Sequence, residues 1–309
     1  MARILVTGGA GFIGSHVVDA YIAAGHEVFA LDNLVAGTRE NLNPEAQFIE
    51  LDVRNVQLAD VFAEVRPEVV NHLAAQIDVR RSLEDPLYDA DVNIMGGINL
   101  LENCVKHGVS KCIFASTGGA IYGEPKALPA DEQTEPNPKC HYAASKLAFE
   151  HYLRLYHNLY KLCYTILRYP NVYGPRQRHD GEAGVCSILT GMMLRGQTPT
   201  LYGFGEPLRD YVFVGDIARA NVLALDRGDG ACVNTGSGRG TSVRELYDTL
   251  ADIIGFREEP HLAPLRPGEL DKVYLTGDEA ARVLGWKAEV SLRAGLEQTV
   301  EHIRAAAAA

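Results

Sequence analysis

Six short runs of β-branched or aromatic residues recur through the first half of the chain, at Ile4–Val6, Val28–Leu31, Phe48–Leu51, Val69–His72, Cys112–Ala115 and Tyr164–Leu167. Between them lie stretches of helical length with one apolar side. The clearest is Phe12–Ala24, where Ile13, Val17, Val18, Tyr21 and Ile22 fall on one broad helical face and Gly25 supplies a stop. The short runs are almost continuously apolar rather than alternating, which predicts strands buried on both faces. Strands of that kind alternating with helices predict an α/β fold built on a doubly wound parallel sheet.

From about Tyr169 the pattern changes. Pro170, Pro175, Pro199, Pro207, Pro260, Pro264 and Pro267 interrupt it, and glycine-rich loops separate the helices. The prediction is a dinucleotide-binding domain over 1–168 and, over 169–309, mainly a smaller mixed α/β substrate-binding lobe. One strand–helix passage, Asp210 to Leu225, is expected to return to the first domain. There is no internal repeat, and Ala305–Ala309 reads as a frayed tail.

Composition narrows the function. With 309 residues, 47% hydrophobic and 22% charged, the chain reads as an ordinary globular protein. Its formal net charge of −11 argues against a nucleic-acid partner, which needs a basic face. No run of about 18 apolar residues suggests a membrane span, and no export signal is evident, so a cytoplasmic protein is expected. Cys104, Cys112, Cys140, Cys163, Cys186 and Cys232 show no CxxC spacing and read as free thiols. The ten histidines form no HExxH motif and no cluster with cysteines, so no metal site is expected.

The segment Arg3–Gly14 joins a strand to a helix through Gly8, Gly11 and Gly14. Gly8 permits a tight turn, Gly11 lets the backbone approach a pyrophosphate, and Gly14 lets the helix pack on the strand. Asp32 ends the next strand, 18 residues after Gly14. A carboxylate there accepts hydrogen bonds from ribose hydroxyls and repels a 2′-phosphate, which favours NAD over NADP in a Rossmann-type site. Asp52 and Val53, after the third run, are placed to meet the adenine edge.

Tyr142 and Lys146 form a Tyr-x-x-x-Lys pair, and positions four apart share a helical face. A cation beside the phenol is expected to pull the tyrosine pKa down from about 10 and make Tyr142 a general base or acid. The glycine turn, Asp32, a fifth strand ending in Ser116-Thr117-Gly118-Gly119, and then Tyr142 and Lys146 follow one another in order. That order resembles the extended short-chain dehydrogenase/reductase family. Within it, TGGAGFIGSH, LDNL, NHLAAQ, HYAASK, LRYPNVYGPR, RDYVFVGDIA and RPGEL are similar to segments of the UDP-glucose 4-epimerase group.

The resemblance implies roles at matching positions. Phe12, Ile13, Asp32, Asn33, Asp52, Val53, Leu73, Ala74, Ala75 and Asn93 line an NAD site. Ser116, Tyr142, Lys146, Pro170 and Val172 lie beside the nicotinamide, and Asn171 meets the sugar or its phosphate. Arg209 and Arg266 clamp a diphosphate, with Glu269 beside them, and Thr200 to Tyr202 meet the uracil. Counting forward from Phe114 makes Thr117 the hydroxyl that meets the sugar C4 oxygen, with Ser116 as the alternative. Related dehydratases carry an acidic pair after that hydroxyl; here Gly118, Gly119 and Ala120 follow, which disfavours dehydration.

The implied reaction inverts C4 of a UDP-hexose through a 4-keto sugar, with no net redox and NAD retained. Rivals are a 4-epimerase of UDP-N-acetylglucosamine, admitted by the small Val273, and one of UDP-glucuronate, met by Arg80 or Arg81. A rival of another class is a non-catalytic NAD-binding redox sensor. The helices near Asp91–His107 and Ala143–Tyr160 are apolar on more than one face, and the resemblance implies a homodimer through them.

Overall fold

Consecutive residues of the central strands enter opposite cores, which is why these strands read as continuous apolar runs. In β1 (Arg3–Thr7), Ile4 and Val6 pack with Val17, Val18 and Ile217 on one face, while Leu5 packs with Phe62, Leu100 and Phe149 on the other. The same split occurs in β2 (Glu27–Asp32), between Val28 and Ala30 on one side and Phe29 and Leu31 on the other. Burying a large apolar side chain contributes roughly 1.5–3 kcal/mol.

The computed structural model describes residues 1–178, 184–266 and 269–308. The sheet continues with β3 (Gln47–Glu50), β4 (Val69–His72), β5 (Lys111–Thr117), β6 (Cys163–Tyr169) and a seventh strand, Ala231–Asn234. Its order is Ala231–Asn234, β6, β5, β4, β1, β2, β3, and every neighbour is parallel. The chain winds outward in both directions from β1 and β4, so a crevice opens beyond the carboxyl ends of those two strands. β5 runs two residues past its apolar run, to Thr117, and β3 starts one residue earlier than its own.

Helix α1 (Phe12–Ala23) buries Val17, Val18 and Tyr21 and ends before Gly25, whose φ is +83°. The helix Val214–Asp226 packs against α1 and places Ile217, Ala220 and Ala224 in the same core. The seventh strand follows it. It lies within the range assigned to the lobe, and its four residues between Gly230 and a loop carry too little pattern to be foreseen.

The lobe has its own core. Helices Val185–Leu194, Val243–Ile254 and Leu292–Ala308 bury Leu189, Met193, Leu246, Leu250, Leu296 and Val300. Short strands complete it: Thr200–Tyr202 pairs with His261–Ala263, and Leu208–Arg209 lies between Thr241–Ser242 and Lys272–Val273. Alanine is the best helix former, and the last helix carries Ala305 to Ala308 of the tail expected to fray, while Ala309 lies outside the described residues. Among the described residues, no helix is long and apolar enough to cross a membrane.

Candidate active site

The glycine turn brings main chain against main chain. Gly8 has φ +73°, and a Cβ there would stand 2.8 Å from the Ala74 nitrogen. A Cβ on Gly14 would stand 2.0 Å from the Gly8 carbonyl oxygen, and one on Gly11 would stand 3.1 Å from it. The amino terminus of α1, with half-buried Phe12 and Ile13, has neither a side-chain cap nor an acidic residue in its first turn. Its free N–H groups and helix dipole are therefore available to an anion.

Asp32 is buried at the end of β2, where its carboxylate accepts from the Ala10 N–H at 3.0 Å and the Leu34 N–H at 2.8 Å. Burial pushes its pKa up and these backbone donors oppose the shift. Asn33 Nδ2 donates to Asp52 at 2.7 Å. Asp52 also pairs with Arg54, which holds its carboxyl below the usual range. Val53 packs with Leu58 and Phe62 in the core, so only Asp52 of that expected pair presents a polar group. Leu73, Ala74 and Ala75 are half-buried after β4, and the Leu73 and Ala74 N–H groups donate to Thr7.

Asn93 is buried and its amide is fully engaged. Oδ1 accepts from the Gln76 N–H at 2.8 Å, while Nδ2 donates to the Gln76 carbonyl, Asp89 and Ser145. It ties the loop after β4 to the helix His141–Tyr160, which carries Tyr142 and Lys146. A glycine cradle that a Cβ would fill, an uncapped helix terminus and a buried carboxylate at the next strand end together fit NAD.

Thr117, the last residue of β5, lies beside Tyr142 and favours its ionised phenol. Ser116 points the other way, buried and donating to Glu150 Oε1 at 2.6 Å. Lys146 is buried with Nζ 4.3 Å from the centroid of the Phe114 ring. The expected electrostatics need correction. In the protein alone, burial pushes the Tyr142 phenol up, against Thr117, and Cys140 and Asp89 add to the rise. Burial brings Lys146 down to about 7, against Glu150 and Asp89. Desolvation penalises the charged form of each, and it outweighs Thr117 at the phenol and the Glu150 and Asp89 charges at Lys146. His72 bonds Thr7 Oγ1 at 2.8 Å, and burial brings it down to about 3. It is a neutral packing residue against Phe114 and Phe149.

The turn after Thr117 is packed closely. A Cβ on Gly118 would stand 2.4 Å from Leu275 Cδ1, and one on Gly119 would stand 3.4 Å from Asn171 Oδ1. Pro170 is buried, Val172 half-buried and Asn171 exposed, so the Asn171 amide faces this turn. The Asn171 N–H donates to the Asp210 carbonyl at 2.9 Å, which ties the lobe strand carrying Arg209 to the site. Buried Asp210, with its pKa pushed up to about 6 by desolvation, accepts in turn from Ser237 and the Leu275 N–H.

Arg209 donates to the carbonyls of Leu208, Leu270 and Asp271 rather than to a carboxylate, and burial lowers its pKa. Arg266 stacks on Tyr202, 3.6 Å from the ring centroid, with Glu269 3.9 Å away. Thr200 and Tyr202 are half-buried at the two ends of their strand. Pro267 and Gly268 of the same motif lie outside the described residues. Val273 is 1% exposed and packs with Ile121, Tyr122, Ala143 and Leu275, so it is wall rather than pocket surface. Arg81 lies 4.1 Å from the centroid of the Tyr88 ring. Glu150, Asp89 and Asp210 escaped the sequence reading; only Glu150, four residues beyond Lys146 on the same face, had a legible spacing.

The profile of the NAD dependent epimerase/dehydratase family matches residues 4–236. The UDP-glucose 4-epimerase of Mycolicibacterium smegmatis is 44% identical, with 98% of each chain covered. The crystal structure of UDP-glucose 4-epimerase from Thermotoga maritima with UDP-glucose superposes with a TM-score of 0.97 at 48% identity, covering 98% of this chain and 99% of that one. That of the Thermus thermophilus enzyme with NAD gives 0.92 at 47%, covering 98% and 99%. The chain belongs to the NAD dependent epimerase/dehydratase family of extended short-chain dehydrogenases/reductases, and NAD is its cofactor.

Proposed function

We propose that this protein is a 4-epimerase of UDP-hexoses that interconverts UDP-glucose and UDP-galactose. The observation that carries the reading is Thr117, at the end of β5, set beside Tyr142, with Lys146 buried one turn along the same helix. The Thr117 hydroxyl orients the sugar C4 oxygen, and Tyr142 accepts the proton of the C4 hydroxyl and later returns it. A positive charge beside the pair offsets the burial that holds the phenol neutral. The chemistry that NAD supplies when bound is reversible hydride acceptance, held in place by the Gly8–Gly14 turn, Asp32 and the loop after β4. Arg209 and Arg266 take the diphosphate, with Tyr202 and Thr200 towards the uracil. UDP-glucose, present in the Thermotoga maritima structure, supplies the groups these side chains suit.

Gly118, Gly119 and Ala120 offer no acid after Thr117, which speaks against water elimination. The buried Val273 removes the argument for an N-acetylhexosamine. Exposed Leu87, Met95, Leu155 and Leu159 lie on neighbouring helical segments and support a homodimer in the cytoplasm, where the six cysteines remain free. The test is incubation of the purified, NAD-loaded protein with UDP-glucose, UDP-galactose, UDP-N-acetylglucosamine and UDP-glucuronate, with products separated by chromatography. Exchange between the first two is expected to exceed the others. No exchange by protein that holds NAD contradicts the proposal.

A further inference from the structure

Asp89 is 1% exposed, yet only half of its carboxylate is used. Oδ1 accepts from Gln76 Nε2 at 3.0 Å and from Asn93 Nδ2 at 3.2 Å, while Oδ2 has no hydrogen-bond partner among the described residues. A buried carboxylate oxygen without a donor is costly and uncommon in a folded protein. Its surroundings supply a reason. Asp89 stands on the short helix Pro86–Ala90, which packs on the helix of Tyr142 and Lys146. Asn93, which holds Oδ1, also donates to Ser145 Oγ at 3.1 Å, and Ser145 Oγ donates to the Tyr142 carbonyl at 3.0 Å. A continuous chain of hydrogen bonds thus runs from Asp89 to the backbone of Tyr142.

The other charged groups around Lys146 are already compensated. Glu150, on the same helix, accepts from Ser116 and twice from Arg168 of β6, and pairs with Arg154. His72, on β4, is neutral. β5 contributes the Phe114 ring and the hydroxyls of Ser116 and Thr117. Cys140, just before the helix, has its thiol pKa raised by burial and partly by Asp89. Asp89 is left as the carboxyl group without a cationic partner among the described residues, on a helix packed against the one that carries Tyr142 and Lys146, where a negative charge raises both of their pKa values.

We propose that Asp89 is a positioning residue for the proton-transfer pair, in which Oδ1 sets Tyr142 through Asn93 and Ser145 and the unpaired Oδ2 holds Lys146 as the ammonium. The inference rests on the reading of Tyr142 and Lys146 as that pair. Because Oδ2 accepts nothing, Asp89→Asn removes the charge while Oδ1 keeps both donors, so the fold is retained. Loss of a negative charge disfavours the Lys146 ammonium and favours the Tyr142 phenolate, which lowers both pKa values.

The experiment is a pH profile of kcat/KM for Asp89→Asn, together with a nitrogen NMR titration of the Lys146 side chain in the NAD-loaded protein. Both limbs of the profile are expected to move to lower pH by roughly half a unit, less than the ~1–3 units produced by a charge in direct contact. The Lys146 titration moves the same way. Ser145→Ala cuts the hydrogen-bond chain but leaves the charge, and is expected to lower kcat with both limbs unmoved. An unchanged Lys146 titration in Asp89→Asn overturns the proposal, because that readout does not depend on turnover. A fully active Tyr142→Phe instead overturns the underlying reading of the pair.

Discussion

The two sides of the crevice hold their ligands in different ways. On the sheet side the fit is main chain against main chain: Gly8 against Ala74, Gly14 against Gly8, and Asp32 pinned by two backbone N–H groups. On the lobe side the same work falls to long side chains, Arg209 braced by carbonyls and Arg266 lying on Tyr202. The cofactor side is accordingly intolerant of any added atom. The lobe side should lose affinity in steps while the fold survives.

The largest expected effect is on the sheet side. Gly14→Ala drives a methyl group to 2.0 Å from the Gly8 carbonyl, where only backbone could yield. Forcing the turn and helix apart is expected to remove bound NAD and destabilise the protein by at least about 3 kcal/mol, on the scale of severe overpacking. Cofactor content and thermal unfolding check this; a variant that keeps NAD would show the turn to be softer than its contacts imply.

Smaller effects belong to the lobe. Arg266→Ala removes a guanidinium held, among the described residues, by stacking and a distant carboxylate, so KM for the UDP-sugar should rise about 10- to 100-fold with NAD content and melting temperature unchanged. Arg209→Ala should raise KM similarly but also lower the melting temperature, because Arg209 tethers three carbonyls. Equal stability of the two variants would break the distinction.

The same contrast governs what was legible from the residues. Near-continuous strands and an amphipathic α1 announce themselves by period, and Gly8, Gly14, Asp32, Tyr142 and Lys146 sit where those elements begin or end. The lobe strands are two or three residues long, too short for any period, and Thr200, Tyr202 and Arg209 on them were reached only through the family resemblance. Spacing could not tell Ser116 from Thr117, since which hydroxyl faces Tyr142 depends on β5 extending two residues further than its apolar run. The desolvation of Tyr142 and Lys146 was hidden for a related reason. Proximity can be read from an i, i+4 spacing, but desolvation cannot. Asp89 had no motif at all and acts through Asn93 and Ser145.

The most direct measurement of the central claim is turnover and cofactor content of Tyr142→Phe, prepared alongside the unaltered protein. Removing one hydroxyl leaves the glycine turn, Asp32 and both arginines in place. Exchange of UDP-glucose and UDP-galactose is therefore expected to fall by about 100-fold or more, the scale of a positioned acid–base group, with the amount of NAD released on denaturation unchanged. Full exchange without the phenol would contradict the account.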